Sequence, residues 1–412
     1  MVMSVRHCDI AILGGGLAGG LVALALRQAR PELDLVLVEQ GETIGGNHVW
    51  SFFGTDVNKA GRELLDGMVV AAWPEYTVRF PRYERRLKTS YYSISSHRFD
   101  KVVRQRLGEA SIMTGVRALA CSATNATLSD GTRLEAKGVI DARGLRNVTD
   151  LTGGWQKFVG RRFRLSAPHG LEAPIVKDAT VEQIDGYRFV YSLPFTADEI
   201  FVEDTYYSDG PALDADAIRA RIDAYVAAKG WHVAEVLEEE QGVLPVVAGG
   251  NFDAFWRASG GPVARAGVRA GLFQAVTSYS LPDAVKYALA LARQQDLSGD
   301  ALAQFSEYWA REHWAQSAYL RQLSALLFAG AEPDKRYRVL ERFYSLRHGL
   351  IERFYAGKTT VFDKARILAG KPPLPITRAL GVLTGLGGKP KLLTQQPLAP
   401  SPSLHSIPGT TK

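Results

Sequence analysis

The chain has 412 residues, a net charge of +6, and 46% hydrophobic and 22% charged residues. These values lie close to globular averages and exclude a disordered or collagen-like chain. The length suggests two or three structural units. Cys8 and Cys121 are the only cysteines, which excludes a disulfide framework and fits a reducing compartment. The eight histidines lack metal-ligand spacing, so no metal site is expected. No run approaches the 18 or so apolar residues of a spanning helix. Asp9 and the glycines between Gly14 and Gly20 argue against a signal peptide. A cytoplasmic chain that does not span a membrane is expected.

In chain order, Ile10–Leu13 is an apolar run ending in Gly14-Gly-Gly-Leu-Ala-Gly19. A helical pattern follows from Leu17 to Arg30, then a second apolar strand, Leu35–Val38, closing on Glu39. This is the pattern of a dinucleotide-binding βαβ unit. Gly14 permits the tight turn, Gly16 lets backbone amides approach a pyrophosphate, and Gly19 lets the helix pack closely on the strand. The helix N-terminus favours phosphate, and Glu39 can accept hydrogen bonds from a ribose diol. Gly45 and Gly46 come next, followed by an aromatic, basic stretch from Trp50 to Arg86. His97–Leu107 reads as an amphipathic helix in which Arg98 is either a pyrophosphate contact or a solvated arginine. Short strands at Gly115–Cys121, Ala126–Ser129 and Thr132–Ala136, with a hairpin turn at Asp130 and Gly131, lead to Gly138-Val-Ile-Asp141-Ala-Arg143-Gly144. This succession resembles the FAD-binding domain of the glutathione-reductase-type flavoproteins, whose last strand returns beside the first. The resemblance implies FAD, with Gly45, Gly46, Asp141, Gly144 and Gly271 among the residues around it.

From about Trp155 to Val247 the chain reads as strands, with Phe158–Leu165, Tyr187–Leu193 and Ile200–Tyr206 the clearest. Asp214–Lys229 reads as one helix with Asp214 as its N-cap. The acidic run Glu238–Glu240 reads as a solvated face. The chain returns through Ala264–Phe273 to a helix at Pro282–Arg293. Hydroxylases of this fold carry Gly-Asp where this chain has Gly271 and Leu272, which weakens a hydroxylase reading. The expected fold is α/β: a glutathione-reductase-type FAD-binding Rossmann domain (1–150 and 262–297) with an inserted antiparallel β-sheet substrate domain (151–261). A helical C-terminal region (298–388) and a flexible tail (389–412) complete it.

The strand Ile200–Val202 ends in Glu203-Asp204-Thr205. Alternation points Phe201 and Glu203 to one side and Val202 and Asp204 to the other. One carboxylate of the pair should therefore face a cavity. Further on, residues 331–391 hold 13 basic and 5 acidic residues, leaving the remainder near neutral. Leu340-Glu-Arg-Phe-Tyr344 recurs as Ile351-Glu-Arg-Phe-Tyr355, so both copies would share a face of one continuing helix unless Gly349 interrupts it. Aromatics interleaved with Arg342, Arg347, Arg353, Lys358, Lys364 and Arg366 fit either an anionic lipid surface or a helical lid with a basic exterior. No nucleic-acid motif accompanies the charge.

Several longer strings resemble the bacterial lycopene β-cyclases. They are Gly45-Gly-Asn-His-Val-Trp-Ser-Phe52, Trp73-Pro-Glu-Tyr-Thr-Val-Arg-Phe-Pro81, Asp178-Ala-Thr-Val181, Gly186-Tyr-Arg-Phe-Val-Tyr-Ser-Leu-Pro194, Glu203-Asp-Thr205, Arg269-Ala-Gly-Leu-Phe273 and Phe354-Tyr-Ala-Gly-Lys358. The resemblance covers about residues 8 to 380; among its departures, Ser278 stands where the family usually has glycine. It implies closure of the ψ ends of lycopene into β-rings, through γ-carotene, on reduced FAD with electrons from NAD(P)H. Substrate and product are isomers. A proton adds to the terminal C1=C2 bond, the C5=C6 bond attacks the cation at C1, and a proton leaves C6. An alkene is a very weak base, so the catalyst needs a protonated acid in a dry cavity. A carboxylic acid in apolar surroundings supplies one. The resemblance assigns that role to Glu203, with Asp204 as runner-up; a solvated strand-end acid is the competing reading of Glu203. The implied partners are lycopene or γ-carotene and a membrane lipid surface, to which the protein would attach peripherally. Two other classes compete: a redox flavoenzyme acting on an isoprenoid, and a non-enzymatic isoprenoid carrier.

Overall fold

The computed structural model describes residues 4–370 and 374–394. Ile10–Leu13 and Leu35–Val38 are apolar at every position, as strands covered on both faces must be. They sit side by side in parallel, with Arg133–Asp141 on the far side of the Val5–Leu13 strand. The full order is Ile112–Met113, Leu35–Val38, Val5–Leu13, Arg133–Asp141, Asn125–Leu128, Ala118–Cys121, with Ala264–Arg265 added alongside Arg133–Asp141. The helix Leu17–Ala29 packs on this sheet against Leu281–Leu291. A Cβ on Gly19 would lie 1.9 Å from the Gly14 carbonyl oxygen, so only glycine permits this approach of helix to turn.

The second sheet is antiparallel over most of its width. Its order is Val233–Gly250, Leu151–Leu165, Glu199–Ser208, Tyr187–Pro194, Ile175–Asp178, Tyr76–Phe80, Tyr83–Leu87. Two of these strands lie outside the expected 151–261 range. Tyr76, Val78 and Phe80 are buried at alternate positions and join the apolar face of this sheet, although the sequence left 50–86 as an irregular basic stretch. A small third sheet joins Val49–Phe53 and Val69–Trp73, largely from that stretch, to Tyr91–Ser95 beyond it. Lys391–Leu392 pair with Thr152 and Gly153, where a flexible tail was expected from 389; residues 395–412 lie outside the described residues.

The C-terminal region is helical, but the repeated Glu-Arg-Phe-Tyr segments do not share one helix. Tyr337–Tyr344 ends at Ser345 and His348–Tyr355 starts afresh, so the two copies pack against each other. The Phe343 and Phe354 rings lie 4.6 Å apart, and the Tyr344 and Tyr355 hydroxyls are hydrogen-bonded at 2.6 Å. Arg342 and Arg353, read from the sequence as outward-facing cations, are used internally. Arg342 donates to the Ile367 and Ala369 carbonyls, and Arg353 forms a bidentate pair with Asp363.

Arg336 clamps this region to the second sheet. Fully buried, it donates to the carbonyls of Leu327, Phe328 and Tyr207 and to the Asp209 carboxylate. Replacement by Met keeps the length but strands these acceptors. Arg336→Met is expected to lower stability by roughly 2–4 kcal/mol, read from the midpoint of denaturant unfolding.

Candidate active site

The glycine turn leaves room where a phosphate would sit. Gly16 is the N-cap of the Leu17–Ala29 helix, and a Cβ there would meet nothing within 4 Å. The Glu39 carboxylate accepts hydrogen bonds from the Gly15 N–H at 2.7 Å and the Gly41 N–H at 2.8 Å. This fixes it at the end of its strand. Gly45 and Gly46 carry consecutive positive φ angles, and the Gly45 N–H donates to the Gly15 carbonyl. Gly144, Gln40 and Arg117 line the adjoining end of the cavity. These residues fit a dinucleotide: open space at a helix N-terminus, an oriented acid at the next strand end, and glycine on the opposite rim.

Three further residues expected at the cofactor make contacts within the protein. Asp141 is buried with its oxygens held by Arg143 and Arg269. Burial opposes its charge, but the hydrogen bonds of Arg143 and the charge of Arg269 keep its pKa below the ordinary aspartate value. It ties the end of its strand to the 267–270 turn. The Arg98 guanidinium donates to the Gly67 carbonyl and is not among the cavity-lining residues. Gly271 closes the Gly267–Ala270 turn in a left-handed conformation beneath Phe255.

A cavity of about 1040 Å³ runs from Gly144 past Trp50 and Tyr279 to the face of the second sheet. Phe158, Tyr191, Phe201, Glu203 and Glu240 are part of its wall. The strand register explains the grouping: Tyr191 pairs with Glu203, Glu203 with Gly160, and Gly160 with Glu240. Residues paired across antiparallel strands project to the same face. Four neighbouring strands therefore present tyrosine, glutamate, glycine and glutamate in one row.

Glu203 is held by the Thr205 hydroxyl, which donates to its Oε1 at 2.6 Å. Burial, then the nearby charge of Glu240, push its pKa well above the carboxylate range, and Lys177 partly opposes this. Lys177 is itself buried, with its ammonium 4.0 Å from the centre of the Phe189 ring; burial pulls its pKa down to about 7. Asp204 points through the sheet to the other face. There it accepts three hydrogen bonds from Arg188 at 2.9–3.1 Å and one from the Tyr206 hydroxyl at 2.8 Å. Asp204, expected as the alternative acid, thus has its oxygens committed to a buried ion pair away from the cavity.

Sequence reasoning missed Glu240. The run Glu238–Glu240 lies in the Val233–Gly250 strand, not on a solvated face. Glu238 and Glu239 pair with arginines, and Glu240 is turned inward, its Oε2 accepting the Val49 N–H at 2.9 Å and lying 3.3 Å from His48 Nδ1. The signal that could have found it is the alternation of Glu240, Gly242 and Leu244 before Pro245, all four of which line the cavity. Ser278, the departure from glycine, has a φ of 57°, a left-handed conformation that glycine adopts without steric cost. Its hydroxyl donates to the Pro245 carbonyl at 2.7 Å.

The lycopene cyclase protein family matches residues 9–381. The chain belongs to this family. It is 44% identical over 371 residues to the lycopene beta-cyclase of Pseudescherichia vulneris, covering 90% of this chain and 96% of that one. Against the lycopene beta-cyclase of Pantoea ananas the identity is 43% over 375 residues, with coverage of 91% and 97%. Among solved structures, a geranylgeranyl bacteriochlorophyll reductase-like protein from Thermoplasma acidophilum superposes with a TM-score of 0.58 at 13% identity, covering 93% of this chain and all of that one. A variant of the halogenase PltM in complex with FAD gives a TM-score of 0.56 at 12% identity, covering 90% of this chain and 87% of that one. At such identities the likeness is one of fold, and the fold is the α/β flavoenzyme architecture expected from the sequence.

The two adjacent carboxylates of this lycopene cyclase family member should respond differently to substitution. Asp204→Asn leaves the buried Arg188 without its counter-charge and is expected to lower stability by about 3 kcal/mol. Denaturant unfolding read beside turnover at low temperature checks this, with kcat of the folded variant retained within about tenfold.

Proposed function

We propose that the protein is a lycopene β-cyclase that converts the ψ ends of lycopene, through γ-carotene, to β-rings without net redox change. The observation that carries this reading is a buried carboxyl, Glu203, whose pKa is raised so that it stays protonated, facing an aromatic cavity continuous with a dinucleotide groove. The names of the relatives support the substrate class.

Glu203 would donate its proton to C2 of the terminal double bond, leaving a tertiary cation at C1. The C5=C6 electron pair closes the C1–C6 bond, and loss of the C6 proton completes the ring. The rings of Phe158, Tyr191, Phe201 and Tyr279 exclude water and offer π-faces to the cation. Gly14, Gly16, Gly19 and Glu39 would hold the pyrophosphate and ribose of FAD, with Gly144 on the adenine side. When bound, FAD reduced at the expense of NAD(P)H would supply negative charge that stabilises the developing cation.

The decisive experiment incubates the reduced, FAD-loaded enzyme with lycopene in liposomes without oxygen and identifies the pigment by mass and chromatography. γ- or β-carotene of unchanged mass is expected from the native enzyme, with Glu203→Gln slowing ring formation about 100-fold or more. A product gaining oxygen or hydrogen would place the protein among the redox flavoenzymes. The pH profile has a defined sign. The acid must be protonated, so Glu203 governs the alkaline side of the profile, where turnover falls as pH rises through its raised pKa. The charge of Lys177 lowers that pKa, so Lys177→Met moves the alkaline limb upward.

We further propose that the helices Val361–Leu368 and Ile376–Thr384 rest on a lipid surface, from which so insoluble a substrate must come. No helix among the described residues is long and apolar enough to cross a membrane. Phe362 is 87% exposed and Leu386 91%, with Val361, Ile376 and Leu380 also exposed nearby in sequence. Lys358, Arg366, Arg378 and Lys389 are exposed along the same segment. Apolar side chains among exposed cations suit an anionic bilayer. Co-sedimentation with phosphatidylglycerol vesicles should fall roughly tenfold or more in a Phe362→Ser, Leu386→Ser double variant, while turnover of detergent-dispersed lycopene persists.

A further inference from the structure

Closing the ring requires removal of the C6 proton as well as delivery of a proton to C2. Within one ring these two carbons are separated only by C1. The cavity wall offers a second carboxylate on the same side. Glu203 and Glu240 occupy equivalent positions two strands apart, and the strand between them has Gly160 at that position. Adjacent strands lie about 4.8 Å apart, so the two glutamates rise from points about 10 Å apart. With glycine at this position the Phe201 ring fills the space next to the backbone, and the two glutamates stand on either side of it. A Cβ at Gly160 would meet the Phe201 ring at 2.3 Å and Glu240 Cγ at 3.3 Å. The floor is therefore set by the Phe201 ring, with a carboxyl on each side.

The two carboxyls are held differently. Glu203 accepts a hydrogen bond only two residues away on its own strand, from Thr205. Glu240 is reached from another sheet: the Val49 N–H donates to its Oε2, and His48 Nδ1 lies 3.3 Å from the same oxygen. Donors aimed at one oxygen orient this carboxyl as an acceptor.

We propose that Glu240 is the proton acceptor that takes the C6 proton and so decides that the product is a β-ring. This rests on the cyclase reading above. The steps balance within the protein. Glu203 gives its proton to C2, and the C5=C6 pair forms the C1–C6 bond, leaving the cation at C5. Glu240 takes the C6 proton, whose bonding electrons become the new C5=C6 bond. Glu203 is then the carboxylate and Glu240 the acid, and one proton passing back over Gly160 resets both. Without Glu240 the C5 cation has other exits: loss of a proton from C4 or from the C5 methyl group, or return to lycopene.

The test uses reduced, FAD-loaded enzyme with lycopene in liposomes made up in D2O. Ring type is read by NMR and deuterium by mass. Native enzyme forming β-rings that carry solvent deuterium is the control that establishes the cyclase reading independently of Glu240. In Glu240→Gln, β-ring formation is expected to fall about 100-fold or more. Deuterium should then appear in recovered lycopene or in rings whose double bond is displaced. Glu203→Gln should show neither exchange nor rings. Glu240→Asp should restore part of the β-ring fraction, and it carries the same test if Glu240→Gln loses its flavin spectrum. β-Rings formed within about threefold of the native rate by Glu240→Gln would overturn the proposal. So would a flavin-loaded Glu240→Gln as silent towards deuterium as Glu203→Gln.

Discussion

A carboxyl group that must stay protonated at neutral pH beside a hydrocarbon has to be taken out of water. Desolvation is the largest influence on Glu203, ahead of any single neighbouring charge. Removing a carboxylate from water without a counter-ion is unfavourable enough that the group takes up a proton instead. The wall around Glu203 is arranged to keep that situation. Tyr191 and Phe201 flank it, Thr205 supplies one hydroxyl hydrogen bond, and the neighbouring charge, Glu240, repels a second negative charge. Lys177 is the nearby cation, and burial over Phe189 weakens its own charge.

The reverse face of the same sheet shows what the cavity face avoids. Asp204 is matched by Arg188, and Asp178 by Lys229 and the Tyr225 hydroxyl. Both carboxylates are more deeply buried than Glu203, which borders the cavity, and each is given a cation. Hydrogen bonds from Thr180 and Tyr225 and the charge of Lys229 outweigh burial at Asp178 and hold its pKa down. At Asp204 burial still prevails, and Arg188 restrains the rise. One strand thus carries, at adjacent residues, an acid held by a cation and an acid without one in contact, as the chemistry proposed for Glu203 requires. The period of two along a strand makes that division possible without any turn or insertion.

Much of this was legible in the sequence. The glycine turn, its helix and Glu39 are local, so spacing alone places them. Period-two alternation likewise separates Glu203 from Asp204 before any tertiary contact is known. What escaped depends on partners distant in the chain. Glu240 reads as one member of an acidic run until Gly160, eighty residues earlier, is seen beside it. Asp141 looks like a cofactor contact until Arg269 arrives from another segment to share its oxygens with Arg143. Tyr76–Phe80 has a clean alternation and a neighbouring partner in Tyr83–Leu87, but it is five residues long and surrounded by arginines, and the strand that joins this hairpin to the second sheet begins at residue 175. The eleven-residue repeat was visible, but one helix or two stayed open, because three turns of one helix and a break between two helices both bring equivalent residues together.

Glycine shapes the cavity wall by what it leaves out. In the two longest strands, added Cβ atoms at Gly160 and Gly242 would meet the rings of Phe201 and Phe158 at 2.3 and 2.5 Å. Each ring therefore lies over backbone where a side chain would otherwise stand. A wall made this way is smooth, apolar and offers π-faces, which suits a long polyene and a transient cation together. It also fixes where polar atoms can intrude. Aromatic rings offer a carboxyl little hydrogen bonding, so the glutamates beside them lose water and keep few donors, the Thr205 hydroxyl at Glu203 and the Val49 N–H at Glu240. The pattern of glycine and phenylalanine across paired strands that would make room for a hydrocarbon thus also raises the pKa of Glu203, the group proposed to protonate it, and the shape of the cavity and its chemistry have a single origin.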